Sequence, residues 1–531
     1  MSLLKTSYAT ATEMFASAVK RNPDGAFIHF FDTDLSYREA DRLSDALAAG
    51  LSCHGFGHGD RICVQAQSLP QTILAMLAAW KLGGVFVPLN PMYRPREIAL
   101  LLADAQPKVL VAEPHLLSEV YDNIPEGGER PGLVLGADIN IYGALDPRVG
   151  GPLPPASGAY EDISAFIERH ADTPWSQPEI GPDDLASLIY TSGTTGLPKG
   201  AIITQRALSL GGELARVAQI LPEQGTVLTL APLFHVSGVV MSVAVAIHAA
   251  AGVILGYRFH PEVIVEAIAK HAPEVSAGSI TAFIAIMNAP NATPDIISAL
   301  KTPMSGGAPV PAAVAAEYER RFGVSLRTGY GLTETSGAVF MEPHSEDSRT
   351  DPETGSLSVG KVLPTFEADI VDDDGKVLPP RSVGEVVLRG PCVSPGYWRN
   401  RIETEGSMRP AGFYTGDVGF FDEDGWLYLI DRKKDVIIAS GYKVWPREVE
   451  DVIYSHPSVR EVAVVGANDS YRGETVKAVV SLKPGARASA EDIQTLCRDK
   501  LAAYKVPRIV AFMDELPKNA GGKILRRELR D

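Results

Sequence analysis

Residues 61–89 read RICVQAQSLPQTILAMLAAWKLGGVFVPL. The segment RICVQAQ is typical of a buried strand, PQTILAMLAAWKLG has the periodicity of a helix, and VFVPL is again a strand. Strands that alternate with helices of about ten to fourteen residues form right-handed crossover units. The stretch therefore predicts a parallel sheet covered by helices.

The same alternation extends in both directions along the chain. A helical pattern at 37–51 precedes the quoted stretch, and a helix at 94–106 and a strand at 108–113 follow it. A second alternating block runs from about 185 to 345, beyond an irregular segment at about 115–182. We expect the glycine-rich segment at 190–201 to lead into a helix within AIITQRALSL, residues 201–210.

The pattern changes after about residue 355. Short strands and two Asp-Gly hairpin signals, Asp374-Gly375 and Asp424-Gly425, predict a small antiparallel sheet or barrel up to residue 431. The last hundred residues form another unit, with a helix from Pro446, two strands, and a second helix. A chain of 531 residues is expected to contain two to four domains.

Composition describes an ordinary globular protein. The four cysteines have neither disulfide-framework nor zinc-site spacing. The net charge of −16 disfavours nucleic acid as a partner. Residues 432–531 carry +5, however, whereas residues 1–431 carry −21. A mildly basic tail domain on an acidic body suits a lid that closes over an anionic ligand.

Residues 236–255, VSGVVMSVAVAIHAAAGVIL, contain no formal charge and are long enough to span a bilayer. His248, the many small residues and the absence of flanking basic clusters favour a buried helix and strand instead. The N-terminus has no signal-peptide pattern. We expect no transmembrane segment and a cytoplasmic location. The sequence leaves open whether the chain forms a homodimer.

Residues 190–201 read YTSGTTGLPKGA, a cluster of hydroxyls, glycines and one lysine after an apolar strand. A strand that ends in such a turn is suited to holding phosphate, because backbone N–H groups, hydroxyls and a cation converge there. A Walker A loop is excluded, since Pro198 precedes Lys199 and Gly200 follows it. A flexible surface loop remains the alternative for this stretch alone.

Further polar clusters stand at the ends of apolar runs. They are APLFHVSG (231–238), SGGAP (305–309), TGYGLTET (328–335), YTGDVG (414–419), DRKKDVIIASGYKVWPREVE (431–450) and PKNAGGKILRREL (517–529). In this order the segments resemble the core motifs of the adenylate-forming superfamily. That superfamily includes acyl-CoA synthetases, peptide-synthetase adenylation domains and firefly-type luciferases.

The resemblance covers nearly the whole chain and implies an α/β fold. The large N-terminal AMP-binding domain, residues 1–431, would contain two doubly wound α/β subdomains and a small β-barrel at about 355–431. A small mobile α+β lid domain, residues 432–531, would follow a hinge at 431–435.

The resemblance also implies the nucleotide site. Lys199 would contact phosphates, Tyr330 would stack on adenine, Asp417 would accept both ribose hydroxyls and Arg432 would add a donor. The full set of ATP or AMP contacts implied is Thr191, Ser192, Gly193, Thr194, Thr195, Lys199, Gly307, Ala308, Pro309, Thr328, Gly329, Tyr330, Gly331, Thr333, Asp417 and Arg432.

Four residues are implied to take part in the chemistry or to hold its metal ion. Lys523 would neutralise the transition state of adenylation, and Glu334, with Thr195, would hold Mg²⁺ beside the phosphates. His235 would line the carboxylate pocket and position the acid. It is not expected to act as a general base, because a carboxylic acid is already ionised at neutral pH.

The second step of the family's reaction requires a rotation of the small domain. Lys434 occupies the implied pivot, and Gly441, Tyr442 and Lys443 would line a coenzyme A tunnel. Trp445 is either a tunnel wall or packing. The expected cosubstrates are ATP, with Mg²⁺, and coenzyme A.

The acyl pocket is expected at His235, Val236, Val240, Ser279 and Phe283. The segments around them contain no cation for a second carboxylate and no acid for an amine. A hydrophobic monocarboxylate, first a medium- or long-chain fatty acid and second an aryl or alicyclic acid, therefore suits them. An enzyme that loads a carrier protein is the runner-up; a luciferase-like oxygenase and a dead nucleotide-binding protein are remote.

Overall fold

The computed structural model describes residues 7–143, 145–150, 160–192, 198–439, 442–469, 473–519 and 522–530. These residues form a mixed α/β structure with four sheets. The helices and helical turns, in chain order, are Ala11–Arg21, Tyr37–Cys53, Pro70–Lys81, Pro95–Ala105, Pro114–Leu116, Leu117–Tyr121, Ile139–Tyr142, Ile163–Arg169, Gln205–Gln219, Val236–Gly238, Val239–Ala244, Val245–His248, Pro261–His271, Ile280–Met287, Pro294–Ile297, Ala312–Phe322, Thr333–Thr335, Arg401–Ser407, Lys433–Asp435, Pro446–Tyr454, Ala490–Lys500 and Arg526–Leu529.

The quoted stretch forms the centre of a seven-stranded sheet. From edge to edge, its strands are Glu161–Asp162, Leu133–Gly136, Val109–Ala112, Arg61–Gln65, Val85–Leu89, Leu185–Ser192 and Pro198–Thr204. All neighbours are parallel except the last pair. The crossover helix Pro70–Lys81 is buried along its whole length, and Trp80 donates its indole N–H to the Ala186 carbonyl at 3.0 Å. The parallel sheet predicted from 61–89 is confirmed.

The second alternating block forms a nine-stranded sheet. In spatial order its strands are Lys361–Val362, Gly337–Met341, Arg327–Leu332, Thr302–Ser305, Val275–Gly278, Thr226–Thr229, Gly252–Leu255, Ala26–Phe30 and Thr33–Ser36. The central strands are parallel, and antiparallel pairs close each edge. The N-terminal strand Ala26–Phe30 belongs to this sheet, although the first strand of the seven-stranded sheet is closer to it in the sequence. It pairs in parallel with Gly252–Leu255.

The uncharged stretch at 236–255 forms a helical stretch followed by a strand. Three consecutive helical segments run from Val236 to His248, and the strand Gly252–Leu255 follows. This confirms the expected buried helix and strand. Within the described part of the chain, every helix is too short or too polar to cross a membrane.

The structure fixes where one expected helix begins. The helix expected within AIITQRALSL begins only at Gln205, and the preceding Ala201–Thr204 belongs to a strand. Two β-branched residues, Ile202 and Ile203, pair there with Leu188 and Ser187. The Thr204 hydroxyl caps the helix by accepting from the Ala207 N–H.

The region around 355–431 is a five-stranded antiparallel sheet. Its linear order is Glu367–Val371, Gly384–Arg389, Gly412–Phe421 and Met408–Arg409, with Leu427–Arg432 also paired to Gly412–Phe421. The last hundred residues contain a further five-stranded sheet, Tyr442–Val444, Ile437–Ala439, Gly473–Leu482 and Val459–Asp469, with Ile509–Phe512 parallel to Gly473–Leu482.

Candidate active site

The glycine-rich segment is anchored by an antiparallel pair of strands. Leu185–Ser192 and Pro198–Thr204 lie in a register that sets Thr191 opposite Lys199. The hydroxyl oxygen of Thr191 is buried and has no hydrogen-bond partner among the described residues. An unpaired buried hydroxyl next to the glycine-rich segment fits a phosphate oxygen. Gly193, Thr194, Thr195 and the side chain of Ser192 lie outside the described residues.

Lys199 is held in place rather than extended into solvent. Its Nζ lies 2.7 Å from Oε2 of Glu403 and 4.4 Å from the centre of the Tyr397 ring. Only 11% of its side chain is exposed. Glu403 and Tyr397 were absent from the sequence reasoning, although the segment GYW at 396–398 offers a local aromatic signal.

Glu334 lies on the short helical turn Thr333–Thr335 and is buried. Its Oε1 accepts a hydrogen bond of 2.6 Å from the Tyr397 hydroxyl, and its carbonyl accepts from the Ser394 N–H at 2.7 Å. Tyr397 thus contacts both the candidate metal ligand and the lysine of the glycine-rich segment. A single carboxylate fits Mg²⁺ that is shared with phosphates and water. No cluster of three or more acidic, His or Cys side chains in the described ranges could hold a metal alone.

Asp417 and Arg432 lie opposite each other on paired antiparallel strands. The Arg432 Nε is 3.2 Å from Asp417 Oδ1, and the Tyr330 hydroxyl donates to Asp417 Oδ2 at 2.6 Å. Burial raises the pKa of Tyr330, so its hydroxyl remains a donor. Each oxygen of the Asp417 carboxylate is therefore held by one neighbouring side chain. The remaining lone pairs can accept hydrogen bonds from ribose hydroxyls.

The expected adenine segments lie on adjacent strands. Gly307 adopts a φ of 76°, which favours glycine, and a Cβ on Gly331 would lie 2.0 Å from the Gly337 carbonyl oxygen. Ala308 is half-buried, as are Gly329 and Thr333, whereas Pro309 is exposed. The Thr328 hydroxyl donates to the Ser358 carbonyl at 2.6 Å, so it stabilises the loop that connects the strands Gly337–Met341 and Lys361–Val362.

Lys523 lies close enough to the pair of Asp417 and Arg432 to interact with it electrostatically. The residue as a whole is exposed to solvent. Desolvation of its ammonium group lowers the pKa of Lys523 to about 8; the charge of Arg432 acts in the same direction and that of Asp417 opposes it. The large and small domains together therefore bring Lys523, Arg432 and Asp417 into one electrostatic environment.

The residues expected at the acyl pocket occupy different environments. His235 is half-buried, and burial lowers the pKa of its imidazole, which favours the neutral form. Val236 and Val240 are buried on the helical stretch that follows His235. Phe283 is fully buried and packs edge-on against Tyr318 at 5.8 Å, within the core of the nine-stranded sheet.

A narrow apolar packing gap, without room for a water molecule, lies beside the helical stretch after His235. Its lining residues come from the crossover helix, a central strand and that stretch; they are Thr72, Ile73, Met76, Phe86, Leu233, Val239 and Val243. Six of the seven are hydrophobic and none is ionisable. None of the five residues expected at the acyl pocket lines this gap, and the contribution of the Pro70–Lys81 helix was not expected from the sequence.

The predicted hinge, 431–435, includes Arg432. Arg526, near the C-terminus, contacts Asp431 at 3.0 Å and Glu450 at 2.7 Å, so three segments that are separate in the sequence meet there. Tyr442 is 58% exposed and stacks on Tyr504 at 4.8 Å. Trp445 is half-buried before the Pro446–Tyr454 helix. Gly441 and the side chains of Lys434 and Lys443 lie outside the described residues.

Comparison with known families decides the class. The model of the AMP-binding enzyme family matches residues 15–398, and that of the AMP-binding enzyme C-terminal domain matches residues 448–523. The chain belongs to the AMP-binding enzyme family. The adenylate-forming superfamily expected from the motifs is thereby confirmed, together with the enzyme class, an AMP-forming acid–thiol ligase.

Relatives of this AMP-binding enzyme are named after different acids. A long-chain-fatty-acid–CoA ligase from Bacillus subtilis is 34% identical over 543 residues, which cover 98% of this chain and 94% of that protein. An indoleacetate–CoA ligase from Aromatoleum aromaticum is 32% identical, with 96% and 95% covered. A solved anthranilate CoA ligase in complex with anthranoyl-AMP matches with a TM-score of 0.88 at 25% identity, over 99% of this chain and 97% of that one.

Proposed function

We propose that this AMP-binding enzyme is an ATP-dependent acid–CoA ligase for hydrophobic monocarboxylates, with medium- or long-chain fatty acids favoured. The first step would convert the acid and ATP to acyl-AMP and pyrophosphate. The second would convert acyl-AMP and coenzyme A to acyl-CoA and AMP. The observation that carries this proposal is the shared environment of Lys523, Arg432 and Asp417, which puts a cation beside a ribose-binding carboxylate.

Adenylation forms a bond between a carboxylate oxygen and the α-phosphorus, and it breaks the bond from that phosphorus to the bridging oxygen of pyrophosphate. Negative charge grows on the leaving group. Lys523 would stabilise this charge from the small domain, and Lys199, released from Glu403, would do so from the glycine-rich segment. Asp417 and Arg432 would hold the ribose. Mg²⁺, held by Glu334 and phosphate oxygens, would supply additional positive charge.

Thioester formation needs a different arrangement of the same cleft. The thiol sulfur attacks the acyl carbon, the bond from that carbon to the AMP oxygen breaks, and the thiol proton is released to solvent. We infer that the small domain, 432–531, rotates about the hinge at 431–435, withdraws Lys523 and admits coenzyme A along the segment 441–443. Its rotation would break the contacts that the Lys523 loop makes with the large domain.

The choice of acid rests on the charge and polarity of the pocket. The residues around the apolar gap beside the helical stretch after His235 include no ionisable side chain, which favours a hydrocarbon chain or ring over a charged group in this region. In the described ranges, only Lys81 and Arg447 are buried cations; the first pairs with Asp41 and Asp45, the second with Asp451. Neither is free to bind a second carboxylate, which argues against dicarboxylic acids.

An aryl acid is the second candidate. It is supported by the names of the indoleacetate–CoA and anthranilate CoA ligases, whereas the B. subtilis relative supports a long-chain fatty acid.

A pyrophosphate-release assay against a panel of acids tests the proposal. Hexanoate, dodecanoate, palmitate, benzoate, indoleacetate and malonate would each be supplied with ATP and Mg²⁺, with and without coenzyme A. We expect turnover with dodecanoate or palmitate above the aryl acids, acyl-CoA only when coenzyme A is present, and no turnover with malonate. Preference for malonate would overturn the pocket assignment; pyrophosphate release without acyl-CoA would overturn coenzyme A as acceptor.

A further inference from the structure

The loop that carries Lys523 makes a hydrogen bond to the large domain. The hydroxyl of Thr281 donates to the carbonyl oxygen of Gly522 at 3.1 Å, across a separation of 241 residues. Thr281 lies in the first turn of the Ile280–Met287 helix, whereas Gly522 directly precedes Lys523. The contact therefore joins a rigid element of the large domain to the residue next to the proposed catalytic lysine.

Ser279 supports the same contact. Its hydroxyl lies 2.8 Å from the Thr281 hydroxyl. Because Thr281 uses its one proton for Gly522, Ser279 is the donor of this second bond. Ser279 occupies the N-cap of the helix but makes no side-chain cap hydrogen bond, although serine at this position usually does. Its hydroxyl is thus directed toward the domain contact instead of toward its own helix.

The fit between the two domains is close enough to require glycine. A Cβ on Gly522 would lie 2.5 Å from the Thr281 hydroxyl and 2.8 Å from the Ser279 hydroxyl, and the φ of Gly522 is 79°. Any larger residue would collide with both hydroxyls and strain the backbone.

Hydrogen bonds within the loop couple the position of Gly522 to that of Lys523. The Gly522 N–H donates to the Asn519 carbonyl, the Lys523 N–H to the Asn519 side-chain oxygen, and the Asn519 N–H to the Lys523 carbonyl, each at 2.9 Å. Lys518 and Ile524 form a further antiparallel bridge across the loop. A displacement of the Gly522 carbonyl would consequently move Lys523 with it.

We propose that Ser279 and Thr281 form a hydroxyl latch that docks the Gly522 carbonyl and holds Lys523 in the cleft during adenylation only. The inference rests on the proposed two-step function. Both hydroxyls are positioning residues, since they act through Lys523. The latch is broken when the small domain rotates. One neutral hydrogen bond changes such an equilibrium by about fivefold, strong enough to favour docking and weak enough to release.

The test separates the two half-reactions. Pyrophosphate release at saturating ATP measures adenylation, and acyl-CoA formation from synthetic acyl-AMP measures thioesterification; dodecanoate is the acid, or benzoate if the panel favours aryl acids. We expect Thr281→Val to slow adenylation about fivefold to tenfold and to leave thioesterification unchanged. Thr281→Ser should recover most of the loss. Gly522→Ala should lower adenylation further, because it adds a collision.

Two controls make the outcome decisive. Lys523→Ala should show the largest effect on the ratio of the two half-reactions, because adenylation is lost and thioesterification is kept. Thr293→Val removes an N-cap threonine from the nearby Pro294–Ile297 helix and should leave the ratio of the two half-reactions unchanged. Equal losses in both half-reactions for Thr281→Val, or no loss of adenylation, would overturn the latch. A wild-type enzyme inactive with every acid would instead overturn the proposed function.

Discussion

The ammonium group of Lys199 lies 2.7 Å from a carboxylate oxygen of Glu403, 204 residues later in the chain. Both side chains are largely buried, with 11% and 20% exposed. The lysine of the glycine-rich segment therefore has an internal counterion in the structure. If phosphate binds at Lys199 as proposed, it has to replace that counterion. We therefore expect Glu403 to oppose nucleotide binding while it keeps Lys199 ordered.

Replacing Glu403 tests this competition. Glu403→Gln should lower the dissociation constant of ATP about threefold to fivefold, because an ion pair of this kind is worth on the order of 1 kcal/mol. Isothermal titration calorimetry with ATP measures the effect. Glu405→Gln is the matched control, since Glu405 lies on the same helix and pairs with Arg401 at the surface. Weaker ATP binding in Glu403→Gln would show that Glu403 positions Lys199 and does not compete for it.

The hydrogen bond from Tyr397 to Glu334 predicts a specific effect on metal dependence. Tyr397→Phe removes this hydroxyl but keeps the ring beneath Lys199. Loss of a group that orients a metal ligand should raise the half-saturating Mg²⁺ concentration for adenylation about tenfold. Tyr257→Phe removes a comparable hydroxyl, bonded to Glu113 in the core, and serves as the control. An unchanged Mg²⁺ dependence would argue against Glu334 as the metal ligand.

The position of Asp417 predicts that the enzyme discriminates between ATP and 2′-deoxy-ATP. Asp417→Asn should lower kcat/KM for ATP about 10-fold to 100-fold, because hydrogen bonds to a charged group are worth about 1.5–3 kcal/mol. The wild-type enzyme should prefer ATP over 2′-deoxy-ATP, and this preference should shrink in the variant. Steady-state pyrophosphate release with both nucleotides measures the two ratios. The same preference in both enzymes would exclude Asp417 from contact with the 2′-hydroxyl.

The environment of Lys523 predicts a decline of adenylation at alkaline pH. Its pKa of about 8 lies below the usual 10.5, so the free enzyme loses this positive charge as the pH rises through 8. Because kcat/KM reports groups of the free enzyme, kcat/KM for ATP should fall above about pH 8. Lys523→Arg keeps its charge at all these pH values, and its remaining activity should lack the decline. A similar alkaline decline in the variant would assign it to another group.

Local patterns in the sequence were sufficient for much of the fold. The alternation around 61–89 predicts parallel sheets, since periodicity reports which side of an element is buried. It did not predict that Ala201–Thr204 extends a strand before the helix begins, because the β pairing of Ile202 with Leu188 is a contact between segments. The motifs at Asp417 and Lys523 likewise identify the family without showing how the two residues are arranged.

The sequence by itself determined the class of enzyme, because the residues that bind nucleotide occur in short segments whose order along the chain is recognisable. Only the tertiary structure decided which side chains meet these residues. Glu403 reaches Lys199, Tyr397 reaches Glu334, and Thr281 reaches Gly522. Each pair joins segments that are far apart in the chain, so its geometry depends on how sheets and domains pack and not on any local propensity.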